Sequence, residues 1–312
     1  MVKNLVAGGA GFIGTNLIKR LLKKNQAVIC IDDLSTGSKR NIEKWIDDPN
    51  FNFIDHDITK KIDISFDKLW HLACPASPVH YQKNPIRTSK INFIGTLNLL
   101  ELALKNKASF LFTSSSEIYG QAKMHPQKES YFGNVNTLSK RSCYEEGKRI
   151  AESICTDFHR EYGLDVKIAR IFNAYGPYMA VNDGRVISNF INNALNGKNL
   201  LINGDGTQTR SFCFVDDLVD ALILLMNSDV NYYPLNIGND DEITIIDLGK
   251  KVIEKINKNL DFDYGILSTD EPINRKPDLS RSKKIINWQP KIGLDEGINK
   301  TIEFFIKNKF KS

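Results

Sequence analysis

The sequence predicts an α/β fold built on a doubly wound parallel sheet, with a smaller C-terminal α/β substrate-binding domain. Three observations predict it. Short apolar runs alternate with helical stretches, a glycine-rich turn joins the first strand to the first helix, and an aspartate closes the second strand. Residues 2–7 form the first apolar run, and 12–24 follow with Leu17, Ile18, Leu21 and Leu22 on one side of a helix. Further strands are read at 27–31, 51–54, 68–72, 109–113 and 166–171. Between them, 86–106 reads as one long helix rich in Leu and Ile, and 143–162 as another, stopped by Gly163. Strands joined through helices pair side by side only in parallel, which makes these βαβ units.

After residue 172 the rhythm changes. Asn173-Ala-Tyr-Gly-Pro177 is a turn cluster, and Gly204-Asp-Gly206 is another turn. Helices are expected at 186–196, 216–226, 244–257 and 294–307, and a polar loop at 270–277. A full βαβ series is missing there. The expected division is therefore 1–172 and 173–312, with some segments after 210 returning to the first domain.

Composition sets the outer bounds. At roughly 150 residues per domain, 312 residues suggest two domains or one large one. With 41% apolar and 25% charged residues the chain is ordinary globular protein rather than disordered, fibrous or coiled-coil. A net charge of +5 suits an anionic ligand but is too mild for a nucleic-acid binder. Cys30, Cys74, Cys143, Cys155 and Cys213 are odd in number and contain no C-x-x-C pair. They point to a reducing cytoplasm rather than to disulfides or structural zinc. His56, His80, His125 and His159 show no metal-ligand spacing, so no metal is expected. No apolar run reaches about 18 residues, so no membrane span is expected either, and no signal-peptide pattern precedes the first strand.

Gly8-Gly-Ala-Gly11-Phe-Ile-Gly14 lies between the first strand and the first helix. Glycines let the backbone turn tightly and approach a pyrophosphate, and the helix N-terminus offers free N–H groups to its charge. Asp32 follows 18 residues beyond Gly14, where a carboxylate can accept both adenosine ribose hydroxyls and repel a 2′-phosphate. This is a Rossmann-type site that favours NAD over NADP, although Lys39 and Arg40 lie close by. Phe12 and Ile13 at the helix start, then Asp33, Ser35, Thr36 and Gly37 after the second strand, are assigned to the same cofactor. So are Asp57 and Ile58, at the expected adenine position, and Leu72 at the end of the fourth strand.

A reactive set follows. Ser115 and Glu117, two apart after the fifth strand, share a side in extended chain. Tyr144 and Lys148, four apart, share a helix face. Positive charge beside a tyrosine favours the phenolate, and Ser115 can bond the same substrate oxygen. Together they form an acid/base set for moving a hydride at a carbinol.

These motifs resemble the extended short-chain dehydrogenase/reductases that modify nucleotide sugars. The similarity covers essentially the whole chain. Ser116-Glu-Ile-Tyr-Gly120, Arg170-Ile-Phe-Asn173, Asp183-Gly-Arg-Val-Ile-Ser-Asn-Phe190, Gln208-Thr-Arg-Ser-Phe212 and Arg275-Lys-Pro-Asp278 are shared widely. His71-Leu-Ala-Cys-Pro-Ala-Ser-Pro78 and Ser142-Cys-Tyr-Glu-Glu-Gly-Lys-Arg149 resemble the decarboxylase branch. The resemblance implies NAD-dependent decarboxylation of UDP-glucuronate to UDP-xylose through a 4-keto intermediate. It implies Tyr144 as base at the 4-hydroxyl, Lys148 on the nicotinamide ribose, and Ser115 where relatives usually carry Thr. Glu117 would lie near C5 and Arg210 near the uronic carboxylate, while Asn173, Arg185, Asn189 and Arg275 would contact the UDP part of the substrate.

Ser116 is a poor acid for expelling a 6-hydroxyl, which disfavours dTDP-glucose-type 4,6-dehydratases but not every dehydratase. A 4-epimerase also stays open. A dinucleotide-sensing module without chemistry has no need of Ser115, Tyr144 and Lys148 together. Tyr178 stands where decarboxylases commonly carry Arg. Relatives form homodimers through a four-helix bundle, which here would use the 86–106 and 143–162 helices.

Overall fold

The computed structural model describes residues 1–266 and 274–309. Six strands appear in the expected places: β1 Lys3–Ala7, β2 Ala27–Asp32, β3 Phe51–Asp55, β4 Lys68–His71, β5 Ser109–Ser115 and β6 Val166–Ile171. A seventh, Leu235–Ile237, pairs with β6. Across the sheet the order is Leu235–Ile237, β6, β5, β4, β1, β2, β3, and every pairing is parallel. The chain runs outward from β1 to β3 and then returns to place β4 on the other side of β1. That reversal opens a crevice at the carboxyl ends of the strands, where ligands bind in open α/β sheets. Both faces are covered by helices, so β1 and β5 are buried almost throughout instead of alternating.

Helix α1, Phe12–Lys23, lays Leu17, Ile18 and Leu21 on the sheet, and Val215–Met226 packs beside it with Leu218, Leu222 and Leu225. The other face carries the helical stretch 85–106 and the helix Ser142–Tyr162, which ends at Gly163 in the left-handed region. The stretch 85–106 is not one regular helix. Pro85–Lys90 and Thr96–Asn106 flank a π turn, Ile91–Gly95. The extra residue seats Asn92 against Gly147 of the neighbouring helix: a Cβ on Gly147 would lie 2.8 Å from the Asn92 amide nitrogen.

Residues after 172 build a second layer around Phe190, Phe214, Leu248 and Ile298. Thr209–Ser211 is the middle strand of a small sheet, antiparallel to Glu242–Thr244 and parallel to Asn274–Arg275. The loop expected at 270–277 is corrected in part: Asn274–Arg275 is a strand, placed in register with Thr209 and Arg210 by backbone pairing that its polar sequence conceals, while 270–273 lie outside the described residues. Among the described residues no helix is long and apolar enough to cross a membrane.

Candidate active site

A cleft of about 1070 Å³ opens at the switch point between β1 and β4. Its floor is the glycine turn. Gly8 has φ +80°, and a Cβ there would lie 2.7 Å from the Ala73 backbone nitrogen. A Cβ on Gly14 would lie 2.2 Å from the Gly8 carbonyl oxygen. Only glycine lets helix and strand approach this closely. No side chain caps α1, so its first N–H groups are left for a ligand. Asp32, at the end of β2, accepts from Ala10 N at 3.0 Å and Leu34 N at 2.9 Å. Burial raises its pKa, and those two N–H groups oppose the rise. The cradle and its acid fit a dinucleotide with a free 2′-hydroxyl.

Gly11, Phe12, Ile13, Asp33, Ser35 and Thr36 line the cleft. Ile58 and Leu72 line it as well. Gly37 does not, but it touches the acid: a Cβ there would fall 2.8 Å from Asp32 Oδ1. Asp57 is turned into a local network, accepting from Thr59 N at 3.0 Å and standing 3.3 Å from Arg87 Nη2. Burial works against its charge, yet the Thr59 hydrogen bonds and Arg87 hold its carboxyl below the usual range. Arg87 also pairs with Asp33.

The residues expected to form the acid/base set converge. Lys148 donates to the Thr113 carbonyl at 2.9 Å and lies 5.7 Å from the Tyr144 ring centroid. Burial lowers the Lys148 pKa. Burial also pushes the Tyr144 hydroxyl well above its ordinary range, with Cys74 and Glu117 adding to the rise. A hydrogen bond with Ser115 and the charge of Arg185 act the other way. Tyr81 stacks on Tyr144 with ring centroids 4.9 Å apart and an angle of 6° between planes.

Glu117 is held from three sides. Arg141 Nη2 lies 2.9 Å and Arg275 Nη1 3.6 Å from its Oε1, while the Tyr81 hydroxyl donates to Oε2 at 3.3 Å. Arg275 Nη2 is buried with no hydrogen-bond partner. Arg210 Nη1 donates to the Thr209 carbonyl at 2.8 Å, and Arg210 is not among the residues lining the cleft. Arg275 stands directly beside Arg210 across the strand pair, so the two residues occupy neighbouring positions of one small sheet. Asn173 and Arg185 line the cleft, the latter paired with Asp183. Asn189 does not line it and donates to the Gly184 carbonyl at 3.1 Å, bracing the Asp183–Arg185 turn.

Sequence reading missed Tyr81, Arg141 and Glu145. Pro78 at the start of a short helix, Pro78–Lys83, and the Arg141–Glu145 pair at helical spacing were the available signals. His71, a residue of the family-like stretch, is buried and bonded to Thr96 at 2.9 Å rather than facing the cleft. Phe304 and Lys307 of the final helix, Leu294–Lys309, also line the cleft, and Phe304 packs on Tyr178 with centroids 4.8 Å apart.

The family model that matches residues 4–238 describes the NAD-dependent epimerase/dehydratase family. The chain belongs to that family. It is 50% identical over 296 residues to UDP-glucuronic acid decarboxylase 3 of Arabidopsis thaliana, covering 94% of this chain and 86% of that one. UDP-glucuronic acid decarboxylase 1 of Xenopus tropicalis is 45% identical, covering 97% and 72%. Among solved structures, UDP-glucuronic acid 4-epimerase of Bacillus cereus, in complex with UDP-glucuronic acid and NAD, is 27% identical with a TM-score of 0.89, covering 98% of this chain and 99% of that one. The family's NAD dependence agrees with the glycine cradle and Asp32.

Proposed function

We propose that the protein decarboxylates UDP-glucuronate to UDP-xylose through a 4-keto intermediate. The observation that carries this reading is the 50% identity, over 94% of the chain, to a UDP-glucuronic acid decarboxylase. The cleft supports it by joining a hydride-transfer set to a cationic corner suited to a uronic carboxylate. NAD, held by the glycine cradle and Asp32, would supply the redox chemistry, a hydride taken from C4 and returned to it.

Tyr144 takes the proton of the 4-hydroxyl while Ser115 bonds the same oxygen. Lys148, fixed by the Thr113 carbonyl, favours the phenolate. The C4 ketone is then β to the C6 carboxylate, so loss of CO₂ leaves its electron pair delocalised as an enolate. Ser115 and Tyr144 stabilise the charge at the C4 oxygen. Arg275, whose Nη2 is unpartnered and which lines this corner, holds the carboxylate together with its strand neighbour Arg210. C5 takes a proton from solvent, relayed by Glu117 or by a water it holds. Asn173 and Arg185 serve the UDP end. The cofactor half is assigned to 1–172 and the nucleotide-sugar half to 173–312.

We place the protein in the reducing cytoplasm, supported by its five free thiols. We also propose a homodimer. Exposed Ile86, Phe93 and Ile150 on the 85–106 and Ser142–Tyr162 helices offer the apolar faces of a four-helix bundle. The functional test is incubation with UDP-glucuronate labelled at C6. Labelled CO₂ is expected; a labelled hexuronate with no CO₂ would favour the 4-epimerase reading and refute this one.

A further inference from the structure

Behind Glu117 lies a second buried carboxyl with no part in the steps above. Glu145, on the helix that carries Tyr144, is 4% exposed, and Arg141 Nε lies 3.5 Å from its Oε1. The same Arg141 reaches Glu117 at 2.9 Å through Nη2. Arg275 approaches Glu117 from the strand Asn274–Arg275, and Tyr81 from the helix Pro78–Lys83. The cluster thus holds two guanidiniums and two carboxyls, all shielded from water. Tyr81 stays neutral, since burial pushes its hydroxyl well up.

We propose that Glu145 is a positioning residue: by sharing Arg141 with Glu117, it sets how much positive charge the Arg141–Arg275 pair presents to a substrate carboxylate. With both acids ionised the cluster is balanced. With a proton on Glu145 it carries one net positive charge, and Arg141 serves Glu117 alone. Burial and then the charge of Glu117 push the Glu145 carboxyl up to about 7, against Arg141 and Arg275. The switch therefore falls near neutral pH. As pH rises through it, the corner loses its positive charge and its grip on a carboxylate. The inference rests on the decarboxylase reading for the identity of that carboxylate, but not for the titration itself.

Two measurements on the full chain test it, each comparing wild type with Glu145→Gln, which keeps an acceptor for Arg141 and removes the titration. The first is Tm against pH. The folded state holds this proton more tightly than the unfolded chain, whose value is near 4.5. Stability from this group is therefore full below that pH and lost as pH rises towards 7. The Tm of wild type relative to the variant should fall from about pH 5 to about pH 8. The second is KM for UDP-glucuronate. It should rise about tenfold in wild type across the upper half of that range and stay flat in the variant. Glu145→Asp, with shorter reach to Arg141, should restore a rise at a shifted pH. Parallel Tm curves for wild type and Glu145→Gln would overturn the proposal. So would the wild-type KM inflection persisting in Glu145→Gln. If wild type released no CO₂, the decarboxylase reading would fail, while the Tm comparison would still decide the role of Glu145.

Discussion

Tyr144 carries the proton transfer, and its surroundings say how. In the protein alone, burial holds the phenol protonated, and Ser115 and Arg185 pull against it. Lys148, 5.7 Å from the ring centroid, would favour the phenolate, and a cationic nicotinamide would add to that if bound. Tyr144→Phe should lower kcat by about 10²–10⁴-fold, the usual weight of general acid–base catalysis. The NAD content of the purified protein, measured on the supernatant after denaturation, should be unchanged. Asp32 poses a different question. Its carboxylate already takes two backbone N–H groups, so its charge is fixed in place before the ribose arrives. Asp32→Ser should weaken NAD retention by about tenfold or more and narrow the preference over NADP, as measured by isothermal titration of both dinucleotides. At this scale spacing was legible for Tyr144 and Lys148, four apart on one helix, but Ser115 and Glu117 do not share a side in extended chain: Ser116–Tyr119 is a 3-10 turn, and Ser115 Oγ accepts from Glu117 N at 3.2 Å to cap it. Spacing gave no sign that Arg210 and Arg275 stand side by side, because they are adjacent only in the folded register.

At the scale of elements, the glycine turn and α1 act as one piece. Gly14 is in contact with the Gly8 carbonyl, a backbone atom that cannot swing aside. Gly14→Ala should therefore cost about 1–3 kcal/mol by overpacking and reduce bound NAD, read from a denaturant midpoint and a cofactor assay on the same sample. The strands of the cofactor half were visible as apolar runs because a sheet covered on both faces needs them. The π turn at Ile91–Gly95 was not, since its cause is the fit of Asn92 against Gly147 on another helix. The short strands after residue 200 were hidden for a related reason. Each is two to four residues long and defined by its partners rather than by its own pattern.

At the scale of the whole molecule, the two halves share the cleft instead of meeting at a simple boundary. Leu235–Ile237 closes the edge of the central sheet, Val215–Met226 covers α1, and the final helix reaches the cleft with Phe304. The Ser142–Tyr162 helix links catalysis to the proposed dimer, since Tyr144 and Lys148 face inward while Ile150 faces out. Light scattering should give twice the 35.4 kDa chain mass, and Ile86→Glu with Ile150→Glu should give a monomer. The central claim, that C4 is oxidised and restored while C6 leaves as CO₂, is tested most directly by turning over UDP-glucuronate in D₂O and examining the product by NMR. The expected product is a UDP-pentose with one deuterium at C5 and only protium at C4. A hexuronate, or a pentose with deuterium at C4, would contradict it.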